Sequence, residues 1–227
     1  MDFIIRNAQP SDADFTARTV MSGVGYAAFD ENAQNQPIEF NGRAIPMSSA
    51  VEAFKAICAR EDTMYSFART RIACVDGVRA GALISYPGEE NAELRDFTWS
   101  LLDDKSSPAA DASNPETSSP VSCECGSAAD PFADVDAECE AGEYYLDSLA
   151  VHPSFRGRTF EYEGTREKLG HILLLDGISR GKSLGYARTS LIVDVDRPRL
   201  QHYYSQLGFR PVRELLFFGH HYTRMVL

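Results

Sequence analysis

One loop in this chain has the residue types that hold an anion. Tyr144-Tyr145-Leu146-Asp147-Ser148-Leu149-Ala150-Val151 reads as an apolar strand. His152-Pro153-Ser154-Phe155 reads as a turn, Arg156-Gly157-Arg158 as a basic loop, and Lys168-Leu169-Gly170-His171-Ile172-Leu173-Leu174 as part of a helix. A helix's first turn leaves backbone N–H groups unpaired, and its dipole puts positive charge at the same end. A strand feeding such a loop and helix builds a seat for a phosphate-bearing cofactor. The loop is neither of two common phosphate binders. It lacks the Lys-Ser/Thr ending of a P-loop, and it lacks the three glycines and downstream acid of a dinucleotide site.

Two stretches together resemble the GNAT superfamily, the acyl-CoA-dependent N-acetyltransferases. That family's cofactor pattern runs roughly Val-x-Pro-x-x-Arg-Gly-x-Gly-x-Gly/Ala ahead of a Leu-rich helix, and Val151, Pro153, Arg156, Gly157 and Gly170 fit it. Downstream, Tyr203-Tyr204-Ser205-Gln206-Leu207-Gly208-Phe209 is similar to the family's Tyr-x-x-Leu-Gly-Phe helix ending. The resemblance spans most of 3–227 outside an acidic stretch. It implies an α/β (α+β) fold: a mixed, mostly antiparallel central sheet flanked by helices. It also implies an enzyme that moves an acetyl group from acetyl-CoA, as co-substrate, to a primary amine of a small molecule or peptide. A GNAT-like module that binds acyl-CoA or a protein partner without turnover is the alternative.

The resemblance also assigns roles. Leu149, Ala150 and Val151 would bond the pantetheine arm as an added strand does, and a main-chain N–H there would polarise the thioester carbonyl. Arg156, Gly157, Arg158, Gly170 and His171 would hold the pyrophosphate, since glycine admits close backbone approach and arginine adds charge-assisted bonds. Tyr204 matches the tyrosine that protonates the departing thiolate. Asp147 is the candidate base, because aspartate is disfavoured within strands and so breaks a local rule beside the expected thioester. Alternation sets Asp147 on one face with Tyr145, Leu149 and Val151. Glu143 or a water chain could serve instead.

The chain departs from the family pattern in two places. Nine residues, Thr159–Glu167, separate Arg-Gly-Arg from Lys168-Leu169-Gly170, and Glu161, Glu163 and Glu167 bring negative charge near a would-be pyrophosphate. This insert reads either as a harmless bulge or as a plug in the site. Where the family often has Asn seven residues before the tyrosine, this chain has Arg197.

The positioning elements are legible from pattern. Phe3–Ala8 reads as a strand, and Pro10-Ser11-Asp12-Ala13-Asp14 opens a helix with Ser11 able to cap. A long connection, roughly 23–47, leads to a helix with Ser49-x-x-Glu52 as a capping box. Arg71–Asp76 and Val78–Tyr86 read as strands joined by an Asp76-Gly77 hairpin turn. Leu94–Leu102 reads as a short helix or strand. The cofactor helix runs to about Arg180, Thr189–Val195 is a buried strand, and Asp196 caps a last helix with Pro198 in its first turn. Phe209–Arg213, Glu214–Phe218 and Tyr222–Val226 close the sheet.

At 227 residues the chain suits one domain with a sizeable core. The formal charge is −11, yet residues 103–143 hold eleven acids and one lysine, so one segment carries nearly all of it. About 103–141 has almost nothing to bury and reads as a flexible acidic insertion. No basic stripe with interleaved aromatics supports nucleic-acid binding, and no apolar run is long enough for a membrane span. Five cysteines with no visible secretion signal read as reduced thiols of a cytoplasmic protein. Cys123-x-Cys125 with Cys139 lacks the paired ligand spacings of a zinc site, so no metal is expected. Exposed edge strands leave a homodimer plausible.

Overall fold

The computed structural model describes residues 2–40, 43–106, 136–217 and 220–227. Its strands are β1 (Phe3–Asn7), β2 (Pro37–Phe40), β3 (Arg43–Pro46), β4 (Thr70–Val75), β5 (Val78–Pro87), β6 (Glu143–Val151), β7 (Thr159–Tyr162), β8 (Thr165–Lys168), β9 (Arg188–Asp194), β10 (Arg210–Phe217) and β11 (His220–Val226). Its α-helices are α1 (Ala13–Gly23), α2 (Met47–Cys58), α3 (Asn91–Ser106), α4 (Leu169–Ser183) and α5 (Pro198–Gln206).

Seven strands form the central sheet in the order β1-β4-β5-β6-β9-β11-β10. Every neighbouring pair is antiparallel except β6 and β9. Two cores cover the sheet's two faces. Val20 and Met21 of α1, Phe54 and Ile57 of α2, and Leu94 and Leu102 of α3 pack with Ile84, Tyr86 and Tyr145 on one. Ile172, Leu173 and Ile178 of α4 pack with Leu83, Tyr144 and Leu146 on the other, where Leu200, Tyr203 and Tyr204 of α5 join them. Among the described residues no helix is long and apolar enough to cross a membrane.

Several elements differ from their sequence reading. The 23–47 connection folds into the β2–β3 hairpin. Helix α2 starts at Met47, ahead of the expected capping box, and no side chain caps it. Backbone does so instead, since Met47 N–H donates to Gln36 O and Ser48 N–H to Gln34 O. Such bonds satisfy the same orphan donors that a serine would. Leu94–Leu102 lies inside the longer helix α3. The insert 159–167 is a hairpin, β7–β8, turned by Glu163 (φ 48°) and Gly164 (φ 80°). Two consecutive positive φ values make the turn type that matches strand twist. Phe160 of this hairpin is buried and stacks on Phe3, with ring centroids 5.1 Å apart.

Both ends of the stretch expected to be flexible take up defined structure. Helix α3 continues through Ser106, and residues 136–141 pack on the body of the domain. Asp136 and Leu216 exchange backbone and side-chain bonds, and Arg213 donates to the Ala137 carbonyl at 2.6 Å. Residues 107–135, with Cys123 and Cys125, lie outside the described residues.

Candidate active site

The site starts from an irregularity in β6. Against β5, Ile84 pairs with Ser148 and Ser85 with Leu146, so Asp147 is an extra residue. A bulge of this kind breaks the alternation of side chains. Before it, Tyr144 and Leu146 face α4 while Tyr145 faces α1 and α2. After it, Leu149 and Val151 face α4, lying beside Gly170. Ser148 points the other way, against Gly23 of α1. Asp147 also sits on the α1–α2 side, where it accepts a bond from Tyr86 Oη at 2.6 Å. The expectation that Asp147 shares a face with Leu149 and Val151 is therefore corrected. The bulge moves the two later residues to the opposite face.

The strands also part at this point. β6 pairs with β9 only at Glu143, Tyr144 and Tyr145. Beyond Tyr145 no described strand covers that edge of β6. The backbone from Leu146 to Val151 presents hydrogen-bonding groups to the gap, as an edge strand does.

On the α4 face the gap opens into a crevice of about 570 Å³. Leu149 and Val151 form its floor, Arg156 and Gly157 its loop wall, Gly170 and His171 its helix wall, and Tyr203 and Tyr204 its far side. Arg156 Nε donates to the Val151 carbonyl at 3.1 Å, which fixes the loop against the strand end. Gly157 takes φ 75° with open space where a Cβ would stand. No side chain caps α4, so its first N–H groups and positive dipole end face the crevice. The hairpin β7–β8 contributes Thr159, Arg166, Glu167 and Lys168 to the rim and leaves the crevice open. These groups suit a diphosphate with a slender chain attached: cations and bare N–H groups at one end, an unpaired strand edge along the floor.

Tyr204 projects from α5 into the crevice, packed between Tyr203 and Phe209. Burial, with the Tyr203 phenol a smaller contribution, pushes its pKa up to about 12. It is therefore held as the neutral, proton-carrying phenol at physiological pH. Tyr203 Oη lies 2.8 Å from His171 Nδ1, which ties α5 to the start of α4.

On the opposite face, Asp147 is half-buried and doubly bonded. Besides Tyr86 Oη, Ser148 Oγ donates to it at 2.6 Å. Burial raises its pKa above the usual aspartate value, and the two hydroxyl bonds offset part of that rise. A second acid stands near it. Glu138 is 5% exposed, and its Oε2 accepts from Tyr145 Oη at 2.7 Å. The rings of Tyr86 and Tyr145 meet edge-on with centroids 5.6 Å apart, linking the two carboxyls through their tyrosines. Burial first, then the charge of Asp147, pushes Glu138 up to about 8. The segment carrying Glu138 is held close to the sheet by Gly88, where a Cβ would stand 2.2 Å from the Glu140 carbonyl.

Of the residues singled out from sequence, Leu149, Val151, Arg156, Gly157, Gly170, His171 and Tyr204 line one crevice. Asp147 is not among the residues lining that crevice and lies on the other face, bonded to Tyr86 and Ser148. Ala150 is buried and is not among the residues lining that crevice. Arg158 folds back with its guanidinium 5.0 Å from the Phe155 ring centroid and 5.7 Å from that of Phe160. Glu143 is fully buried and bonds Arg224, so it braces the base of the sheet. Sequence reading missed Glu138, which stood in a stretch that looked unable to pack. It also missed Tyr86 and Tyr145 as its link to Asp147.

No protein-family model matches this chain, and no curated protein does. Solved structures match its shape. An N-acetyltransferase from Staphylococcus aureus Mu50 superposes with a TM-score of 0.66 at 18% identity, covering 99% of this chain and 100% of that one. A second acetyltransferase gives a TM-score of 0.63 at 21% identity, covering 98% and 97%. At such identities what is shared is the fold.

Proposed function

We propose that this chain, which has the fold of the GNAT N-acetyltransferases, moves an acetyl group from acetyl-CoA to a primary amine. One observation carries the reading. Beyond Tyr145 β6 parts from β9, and the crevice there gathers Leu149, Val151, Arg156, Gly157, Gly170 and Tyr204, the cofactor-side residues and the proton donor that acetyl transfer needs. Acetyl-CoA supplies an activated thioester carbonyl.

The residues for holding it are Arg156, Arg166, Lys168 and the first N–H groups of α4 at the diphosphate. The free edge of β6 along Leu149 and Val151 would take the pantetheine arm as an added strand. A backbone N–H on that edge would bond the carbonyl oxygen as charge grows there. Asp147 takes a proton from the incoming ammonium, leaving a neutral amine that can attack. The N–C bond forms, the C–S bond breaks, and Tyr204 gives its proton to sulfur. The second nitrogen proton restores Tyr204 by way of solvent, so the net products are an amide, a thiol and one proton. Tyr204 is a weak acid at about 12, yet a thiolate in the same dry site is a stronger base than in water. Burial raises both groups together.

Isothermal titration with acetyl-CoA and a thiol-release assay over a panel of amines test this. The expected result is binding in the micromolar to millimolar range and thiol release that depends on added amine. Absence of heat and of any thermal shift at millimolar acetyl-CoA removes the reading.

A further inference from the structure

Glu138 has no part in the chemistry above, and its surroundings ask for a ligand. It is more than nine-tenths buried, yet Oε1 has no hydrogen-bond partner. Leaving a buried acceptor unsatisfied is costly, and more so for a charged one. Hydroxyls bond this cluster, Tyr145 on Glu138 and Tyr86 and Ser148 on Asp147, and the Asn91 side chain also acts on Glu138. Arg95, the cation that acts on Glu138, is itself bonded to Asp96 at 3.0 Å. Two neighbouring carboxyls in a poorly hydrated site cannot both ionise without a cation between or beside them. The wall around them is aromatic. Tyr65 lies beside both acids, with Phe54 packed on it at 5.7 Å between centroids, and Tyr222 lies toward Glu138.

We infer that Glu138 Oε1 takes an N–H of the acceptor, and that the acceptor is an aliphatic amine carrying a second cationic nitrogen. This rests on the acetyl-transfer reading for the name "acceptor". Asp147 serves the reacting nitrogen, which becomes neutral before it attacks. A second nitrogen that stays charged keeps Glu138 ionised and bonded throughout. Phenol and phenyl faces suit the methylene stem and attract the cation. A carboxylate on the acceptor would bring a third anion beside the two acids, so amino acids are disfavoured by charge.

Three chain-matched amines test this: butane-1,4-diamine, butan-1-amine and 4-aminobutanoate. Wild-type protein is expected to favour the diamine over butan-1-amine by about tenfold to a hundredfold in kcat/KM, the scale of one charged hydrogen bond. 4-Aminobutanoate is expected to be poorest. In Glu138→Gln the diamine preference falls to about one. Tyr145→Phe, which frees the Glu138 carboxylate to move, lowers the preference as well and serves if the glutamine variant does not fold. Calorimetric titration of butane-1,4-diamine into the protein without coenzyme separates this inference from the function it rests on. Glu138-dependent binding with no transfer to any amine keeps the cation site and removes the transferase. Transfer to all three amines with equal efficiency, an unaltered preference in Glu138→Gln, or no diamine binding at all overturns the cation site.

Discussion

Asp147 and Leu149 stand two positions apart on β6 and face opposite sides of the sheet. Regular pleating would put them on the same side. The extra residue at Asp147 reverses the pleat, so the strand offers an acid to the α1–α2 face and an apolar floor to the α4 face within one turn of backbone. Opposed faces are what a two-substrate site needs, because each reactant then arrives at the gap without crossing the other.

Tyr204→Phe removes the phenol's proton while keeping its packing against Tyr203 and Phe209. We expect kcat to fall by about 10²- to 10⁴-fold with little change in the affinity for acetyl-CoA measured by calorimetry. Unchanged turnover would refute the proton-donor role.

Tyr86→Phe takes away one of the two hydroxyl bonds that favour ionised Asp147. The Asp147 pKa, already raised by burial, should rise further, since the ionised form loses a hydrogen bond that favours it. The acid limb of the kcat/KM profile should therefore move to higher pH. Because Tyr86 touches no reacting atom, the plateau at high pH should stay closer to wild type than in Asp147→Asn. A limb that stays in place would show that Asp147 is not the group being titrated.

Glu138 makes the fold's stability fall with pH. Its carboxyl has an ordinary pKa of 4.5 and about 8 when folded. Below 4.5 both folded and unfolded chains hold the proton, so nothing is lost. Between the two values the unfolded chain releases a proton that the folded chain keeps, and stability declines as pH rises. Above about 8 the full penalty is present. The groups facing it are Asp147, Tyr145, Asn91 and Arg95, with Tyr65, Tyr86, Cys139 and Tyr222 also within its field. Glu138→Gln, which cannot ionise, should melt higher than wild type at pH 9 and nearly level with it at pH 4.5. Thermal melts across that range check the sign. Butane-1,4-diamine should raise the wild-type melting temperature at pH 9.

Gly88→Ala tests how the acceptor wall is held. A Cβ there stands 2.2 Å from the Glu140 carbonyl and 3.2 Å from that of Glu143, both backbone atoms that must shift. Overpacking of this kind costs about 1–3 kcal/mol. We expect the loss to appear in denaturant melts together with a weakened diamine preference. Acetyl-CoA affinity should persist, since its crevice lies on the other face. Equal damage to both ligands would place the segment outside the acceptor site.

Local chemistry made much of this legible. Asp76-Gly77 turns a hairpin in the structure as its dipeptide requires, with φ values of 48° and 77°. The basic loop, the Leu-rich helix and the Tyr-x-x-Leu-Gly-Phe ending each follow from short-range pattern, and those segments come together as one crevice. The β7–β8 hairpin was readable too. Thr159-Phe160-Glu161-Tyr162 alternates, and Glu163-Gly164 is a turn signal of the same kind as Asp76-Gly77, masked by being read as an interruption of the family motif.

What the residues decided alone was which segments could be strand, helix or anion loop, because propensity, turn chemistry and periodicity act over a few neighbours. Which face a side chain meets was settled elsewhere. The bulge at Asp147 exists only in pairing with β5, since a register slip has no signature in one strand's own letters. Glu138 lies in a polar stretch whose composition argues against burial, and it is buried because Arg213, Leu216 and Gly88 draw residues 136–140 onto the domain. The acid pair is thus a product of contacts between parts of the chain far apart in sequence, where long-range packing overrides local preference.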